Sequence, residues 1–131
     1  MSGYSDVKAV TITADTVALD ADGISVAASV GNNAALVIGG ALASGGAVAL
    51  SHGRIVTILS AGNDAAISFT VVGTDVNGDA QTESITGANA GTATGAVYFL
   101  TIASITAVGN PAGNVSAGVN ASAADVIFAG R

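Results

Sequence analysis

Residues 62–91, GNDAAISFTVVGTDVNGDAQTESITGANAG, decide the fold class of this chain. Ile67, Phe69 and Val71 alternate with Ser68 and Thr70, the period-two pattern of a half-buried strand. Asn77-Gly78 supplies residues that tolerate positive φ, and residues 81–86 alternate back. A two-residue loop at Asn77-Gly78 would set Phe69 against Thr86 and Val71 against Ser84. A three-residue loop, a type I turn with Gly78 in the left-handed region as a bulge, sets Phe69 against Ile85. The second choice joins apolar to apolar on the buried face, where such cross-strand pairs contribute roughly 0.2–1 kcal/mol. The sequence therefore predicts the three-residue loop.

Upstream of this hairpin, residues 54–60 are strongly β-prone. Ile55, Val56, Ile58 and Leu59 place apolar groups on both faces, as in a central strand covered on both sides. Ser51-His52-Gly53 reads as a turn before it. Residues 34–50, AALVIGGALASGGAVAL, carry no charge and reach the short limit for a membrane-spanning helix. Gly39-Gly40 and Gly45-Gly46 interrupt them, and each glycine costs a helix about 1 kcal/mol relative to alanine. Two short strands, 35–38 and 47–50, with glycine turns fit better than a spanning helix. Asn32-Asn33 punctuates. Residues 16–19 and 24–30 flank Asp20-Ala21-Asp22-Gly23, read as an acidic turn, and form an N-terminal hairpin with Ile24, Val26, Ala28 and Val30 on one face. Residues 10–13 give a first strand.

Downstream, residues 88–96 read as a small-residue loop. The run 97–108 is the longest apolar one, with Tyr98, Leu100 and Ile102 in one phase and Ile105 out of it, which predicts a bulge near Ala103-Ser104. Asn110-Pro111-Ala112-Gly113 is a turn with proline second. Residues 115–119 and 125–128 close the chain as weaker strands. No window carries a capped 3.6-residue stripe. The pattern predicts an all-β fold, an antiparallel β-sandwich or partly open barrel of about 8–10 short strands. Residues 1–8 form a flexible N-terminal arm, and residues 9–131 a single β-domain.

Composition narrows function. Charged residues make up 9% of the 131-residue chain and glycine supplies 18 positions, so large side chains and surface charges are both scarce. That balance predicts a bland surface covered in part by a partner. Net charge is −6 and Lys8, Arg54 and Arg131 are the only basic residues, so no basic patch exists to neutralise nucleic-acid phosphates. Without cysteine there are neither disulfides nor thiolate metal ligands. The opening MSGYSDVKAVTI lacks the pattern of a signal peptide.

Asp75-Val76-Asn77-Gly78-Asp79 opens like a calcium loop, but Ala80 stands where glycine is required and Thr86 where glutamate is required. His52 is the single histidine, and no G-x-S-x-G turn accompanies it. Asp20 with Asp22, or Asp75 with Glu83, could be drawn as a glycosidase pair, but the chain has no tryptophan to build a sugar platform. The glycine-rich residues 88–95 lack the lysine and helix of a phosphate loop. The expectation is a non-enzyme with no catalytic, metal or cofactor-binding residue and no cofactor.

The segments 34–50, Arg54-Ile55-Val56-Thr57-Ile58 and Ser60-Ala61-Gly62-Asn63-Asp64 resemble a group of small tailed-bacteriophage virion proteins. The string FTVVGTDVNGDAQTESITGANAGT over residues 69–92, Tyr98-Phe99 and Thr101-Ile102-Ala103-Ser104-Ile105 fit the same pattern. The resemblance covers roughly residues 34–108. It departs at His52-Gly53-Arg54, where the family carries an arginine pair. Such proteins resemble capsid decoration, or cement, proteins and other minor structural components. The resemblance implies a partner in the major capsid protein lattice. The scarcity of edge-protecting residues predicts a homo-oligomer, with a trimer expected. The missing basic patch and glycine-broken apolar run predict no nucleic-acid or membrane partner. The resemblance also implies a place on the capsid exterior of the virion after synthesis in the host cytoplasm. A tail-tube, fibre or adhesin-like β-module and a carbohydrate-binding sandwich are the alternative readings.

Overall fold

The computed structural model describes residues 20–120, which build one antiparallel sheet of seven strands. The elements are β1 (Asp20–Ser29), β2 (Ala43–Ser44), β3 (Ala47–Ser60), β4 (Ser68–Thr74), β5 (Ala80–Thr86), β6 (Thr92–Val108) and β7 (Asn114–Val119). Their order across the sheet is β1-β7-β3-β6-β4-β5, with β2 paired to β3. The fold is all-β and sandwich-like, and it is not closed into a barrel. Two of its strands are long, 14 residues in β3 and 17 in β6, so fewer and longer strands replace the short ones predicted. The readings at 1–8, 10–13, 16–19 and 125–128 lie outside the described residues.

The central hairpin has the predicted register. Phe69 stands opposite Ile85, and the alignment runs unbroken from Ser68–Thr86 to Thr74–Ala80. The amide of Gly78 donates to the Asp75 carbonyl at 3.0 Å, closing a β-turn, and Gly78 itself has φ +84°. Phe69, Val71 and Ile85 are buried together on the inner face. The predicted bulge also forms: Val72 pairs with Ser104 but Gly73 with Ile102, so Ala103 is the extra residue. β3 lies between β6 and β7, with Val56, Ile58 and Ser60 buried on one face. On the other Thr57 is buried but Ile55 only partly so and Leu59 is exposed, so the second face is covered only in part.

Elsewhere the structure departs from the sequence pattern. Asp20-Ala21-Asp22-Gly23 is no turn, because these residues begin β1, where Asp20 pairs with Val119. Register shifts on both sides of Ser25 break the simple alternation. Ile24 and Ser25 are buried while Val26 is exposed, so the expected single apolar face does not exist. Ser51-His52-Gly53 lies within β3, in the stretch between Ala49 and Arg54 where the register to β6 shifts. Four residues of β3 there, 50–53, lie opposite the single Leu100 of β6, so the excess is taken up as a bulge rather than a turn. Residues 92–96 belong to β6 instead of a loop. Of the two short strands predicted in the glycine-rich run, residues 47–50 merge into β3 and residues 35–38 contribute one bridge, Ala35 to Thr106. Gly45 and Gly46, at φ +63° and +82°, form the two-residue turn between β2 and β3, where both central positions need positive φ.

Side-chain bonds reveal how the sheet becomes two layers. On β5, Glu83 is in line with Val71 of β4 and, through it, Ile105 of β6. Yet the Glu83 carboxylate accepts the N–H of Ala96, nine residues back along β6. Gln81 of β5 likewise donates to the Tyr98 carbonyl at 2.6 Å. The first half of β6 therefore folds over the inner face of the β4–β5 hairpin and carries β3, β7 and β1 with it. Phe99 and Ile102 are both buried, whereas Tyr98 is 59% exposed, which corrects the phase read from the sequence. Between Phe99 and Ile102 the strand passes from one layer to the other, and its inward side changes there. Where β3 leaves the edge of β6, the segment 33–36 takes over: Leu36 donates to Ile105 and Ala34 accepts from Ala107. Asn33 pairs with Gly109 twice, through its own N–H and through its side-chain oxygen at 2.8 Å.

Candidate functional site

Pairing fixes which residues share the outer face of the β5–β4–β6 layer. Opposite residues in a ladder project to the same side, so three-residue rows can be read across it. They are Thr86–Ser68–Val108, Ser84–Thr70–Thr106, Thr82–Val72–Ser104 and Ala80–Thr74–Thr101. All four rows are free of charge, and none of their members is buried. Thr74 and Thr101 bond to each other through their hydroxyls at 2.6 Å. The result is a plane of threonine, serine and valine with Val72 and Val108 exposed in it. Such a plane presents little that is strongly hydrated, so a partner covering it need not strip water from ions.

The sequence candidates for chemistry are not brought together here. The Asp75 Oδ1 accepts the N–H groups of Asn77 at 2.8 Å and Asp79 at 3.0 Å, so this oxygen is committed to the hairpin turn. Glu83 points inward from β5 to Ala96, while Asp75 lies four residues beyond Val71 along β4, about 13 Å away by strand rise. Asp20 and Asp22 lie along β1, with the Asp20 carboxylate against Gly23. His52 is half-buried in the β3 bulge, its Nδ1 at 3.1 Å from the Ser51 hydroxyl. The glycine-rich 88–95 divides between a connection and the start of β6. Among the described residues no group of three or more His, Cys, Asp or Glu side chains is placed to hold a metal ion. No helix among them is long and apolar enough to cross a membrane.

Asp64 escaped the sequence reading. It is fully buried at the end of the sandwich where three connections meet. Its N–H donates to Ala88, its carbonyl accepts from Ile67, and its Oδ1 accepts the N–H of Ala112 at 2.7 Å. One aspartate thus ties the connection after β3 to those after β5 and β6. Nothing in its sequence neighbourhood distinguishes it from the turn carboxylates, because the partners lie far along the chain. Arg54 was also unforeseen as a core residue. It is buried in β3 and its guanidinium donates to the Asn120 carbonyl, at the end of β7.

No family model, curated protein or solved structure matches this chain. The functional reading therefore rests on the surface itself and on the resemblance seen in the sequence.

Proposed function

We propose that the protein is a non-enzymatic structural component of a phage virion that decorates and stabilises the capsid surface in many copies. The observation that carries this reading is the charge-free plane of β5, β4 and β6. Large neutral surfaces of this kind suit burial against a repeating lattice, where each weak contact is multiplied by copy number. The resemblance of residues 34–108 to small tailed-phage virion proteins points the same way. A trimer is the expected oligomer, since a closed three-fold assembly matches the local three-fold positions of an icosahedral shell. The major capsid protein is the partner in this reading.

With only three basic residues in the chain, attachment depends on apolar burial and backbone pairing rather than ion pairs, so it survives high salt. The test mixes purified protein with undecorated capsids, pellets them at low and high salt, and counts copies per particle. Saturable binding at both salts, in a multiple set by the shell symmetry, is the expected result. Failure to bind at any salt, or labelling confined to the tail, removes the capsid reading and favours a tail module.

A further inference from the structure

Among the described residues, the hydrogen-bond parity of β5 leaves a complete strand edge open. Gly87 donates to Ile67 and Asp75 donates to Asp79, both in the register of the β4–β5 ladder. In an antiparallel pair, bonded positions recur at every second residue. The backbone groups of Gln81, Glu83 and Ile85 are thus spent on β4, and those of Ala80, Thr82, Ser84 and Thr86 point away from it. β5 is the last strand of the sheet, and none of these four residues has a backbone partner on its outer side among the described residues. The edge carries no lysine, proline or bulge over its seven residues, and its one charged side chain is the inward-pointing Glu83. All four outward residues are exposed.

We infer that this edge is a strand-addition site for an extended segment of another protein, one carrying a lysine or arginine opposite Glu83. The choice of occupant follows from charge. A second copy could satisfy every open group only by pairing Ala80 with Thr86 and Thr82 with Ser84. That register puts Glu83 directly across from its own counterpart, in a narrow pair where side chains stand roughly 4.5–5.5 Å apart and like charges repel. Slipping by two residues relieves the repulsion but leaves Ala80 or Thr86 of both copies unpaired. A basic residue at the facing position turns the same geometry from repulsive to attractive. Glu83 is prepared for it: one carboxylate oxygen holds Ala96, and Oε1 is buried with no hydrogen-bond partner. Main-chain bonds supply affinity in this mode, and the side chain facing Glu83 supplies selection. The inference goes beyond the capsid reading and does not depend on it.

The test uses the full chain, isotope-labelled, with the capped peptide Thr-Val-Thr-Lys-Thr-Val-Thr and its Lys-to-Glu counterpart as probes. In the free protein the amides of Thr82, Ser84 and Thr86 exchange rapidly while those of Gln81, Glu83 and Ile85 are protected. The lysine peptide should protect the three fast amides and bind about tenfold more tightly than the glutamate peptide. Ser84→Pro removes an outward N–H without touching the β4 ladder and should abolish binding. Glu83→Gln should retain binding but erase the preference for lysine, which keeps the test decisive if the proline variant misfolds. Equal affinity of the two peptides, or binding of neither, overturns the inference. Protection of the three amides in the free protein also overturns it, assigning the edge to a second copy if a dimer is found and to the chain's own termini if not.

Discussion

Glu83 on β5 caps the backbone N–H of Ala96, although along the ladders it stands level with Ile105. That single bond records the fold of the sheet upon itself. Beyond the end of β4, the edge of β6 has lost its strand neighbour, and Glu83 and Gln81 supply side-chain partners in its place. Gly95 makes room for this contact, since a Cβ there would collide with the Glu83 carboxylate.

Replacing Glu83 with alanine should therefore destabilise the protein by about 1–2 kcal/mol, the scale for losing a hydrogen bond to a charged group at a partly exposed site. Glu83→Gln should cost less, because the amide oxygen can still accept from Ala96. Urea midpoints of the two variants check this, and equal losses would deny the bond a role in stability.

In the turn, Gly78 at φ +84° has open space around it, so a substitution meets conformational strain and no clash. Gly78→Val should lower stability by roughly 1 kcal/mol or more, since a β-branched residue is forced into the left-handed region. Asn77→Ala should cost less. Denaturant melts that could not tell both variants from the parent would contradict the turn geometry.

Gly73 presents the opposite case. Its φ is ordinary, but a Cβ would penetrate the Thr101 carbonyl and press on the Ile102 Cα beside the β6 bulge. Gly73→Ala should cost about 1–3 kcal/mol by forcing strands β4 and β6 apart. Thermal unfolding would measure the loss, and a neutral effect would mean that the strands separate there without penalty.

At the far end of the sandwich, Asp64→Ala leaves the Ala112 N–H without its acceptor, at a predicted cost of about 1–3 kcal/mol. Asp64→Asn retains an acceptor oxygen and should recover much of it. Limited proteolysis of the connections around Ala88 and Ala112 would report the same order. If asparagine and alanine were equally harmful, the hydrogen bond would not be the origin of the effect.

Local chemistry determined a good part of this protein without help from the rest of the chain. The Phe69–Ile85 register, the Gly78 turn, the bulge at Ala103 and the central position of β3 were all legible. Each follows from alternation over a few residues or from a turn position that excludes most side chains. The absence of a basic patch and of cysteine was equally plain, because composition needs no geometry. Tertiary structure decided what depends on distant partners. Asp20-Ala21-Asp22-Gly23 reads as a turn, yet pairing with β7 and close packing against Gly40 and Gly118 hold it in a strand. Ser51-His52-Gly53 stays within β3 because β6 on one side continues past it. Asp64 and Glu83 look like any solvated carboxylates until Ala112 and Ala96 arrive from 48 and 13 residues away. The neutral outer plane and the open edge of β5 belong to this second class. They exist only because three strands align in one register, which places Thr82, Val72 and Ser104 side by side and leaves Thr82 without a backbone partner on its outer side among the described residues.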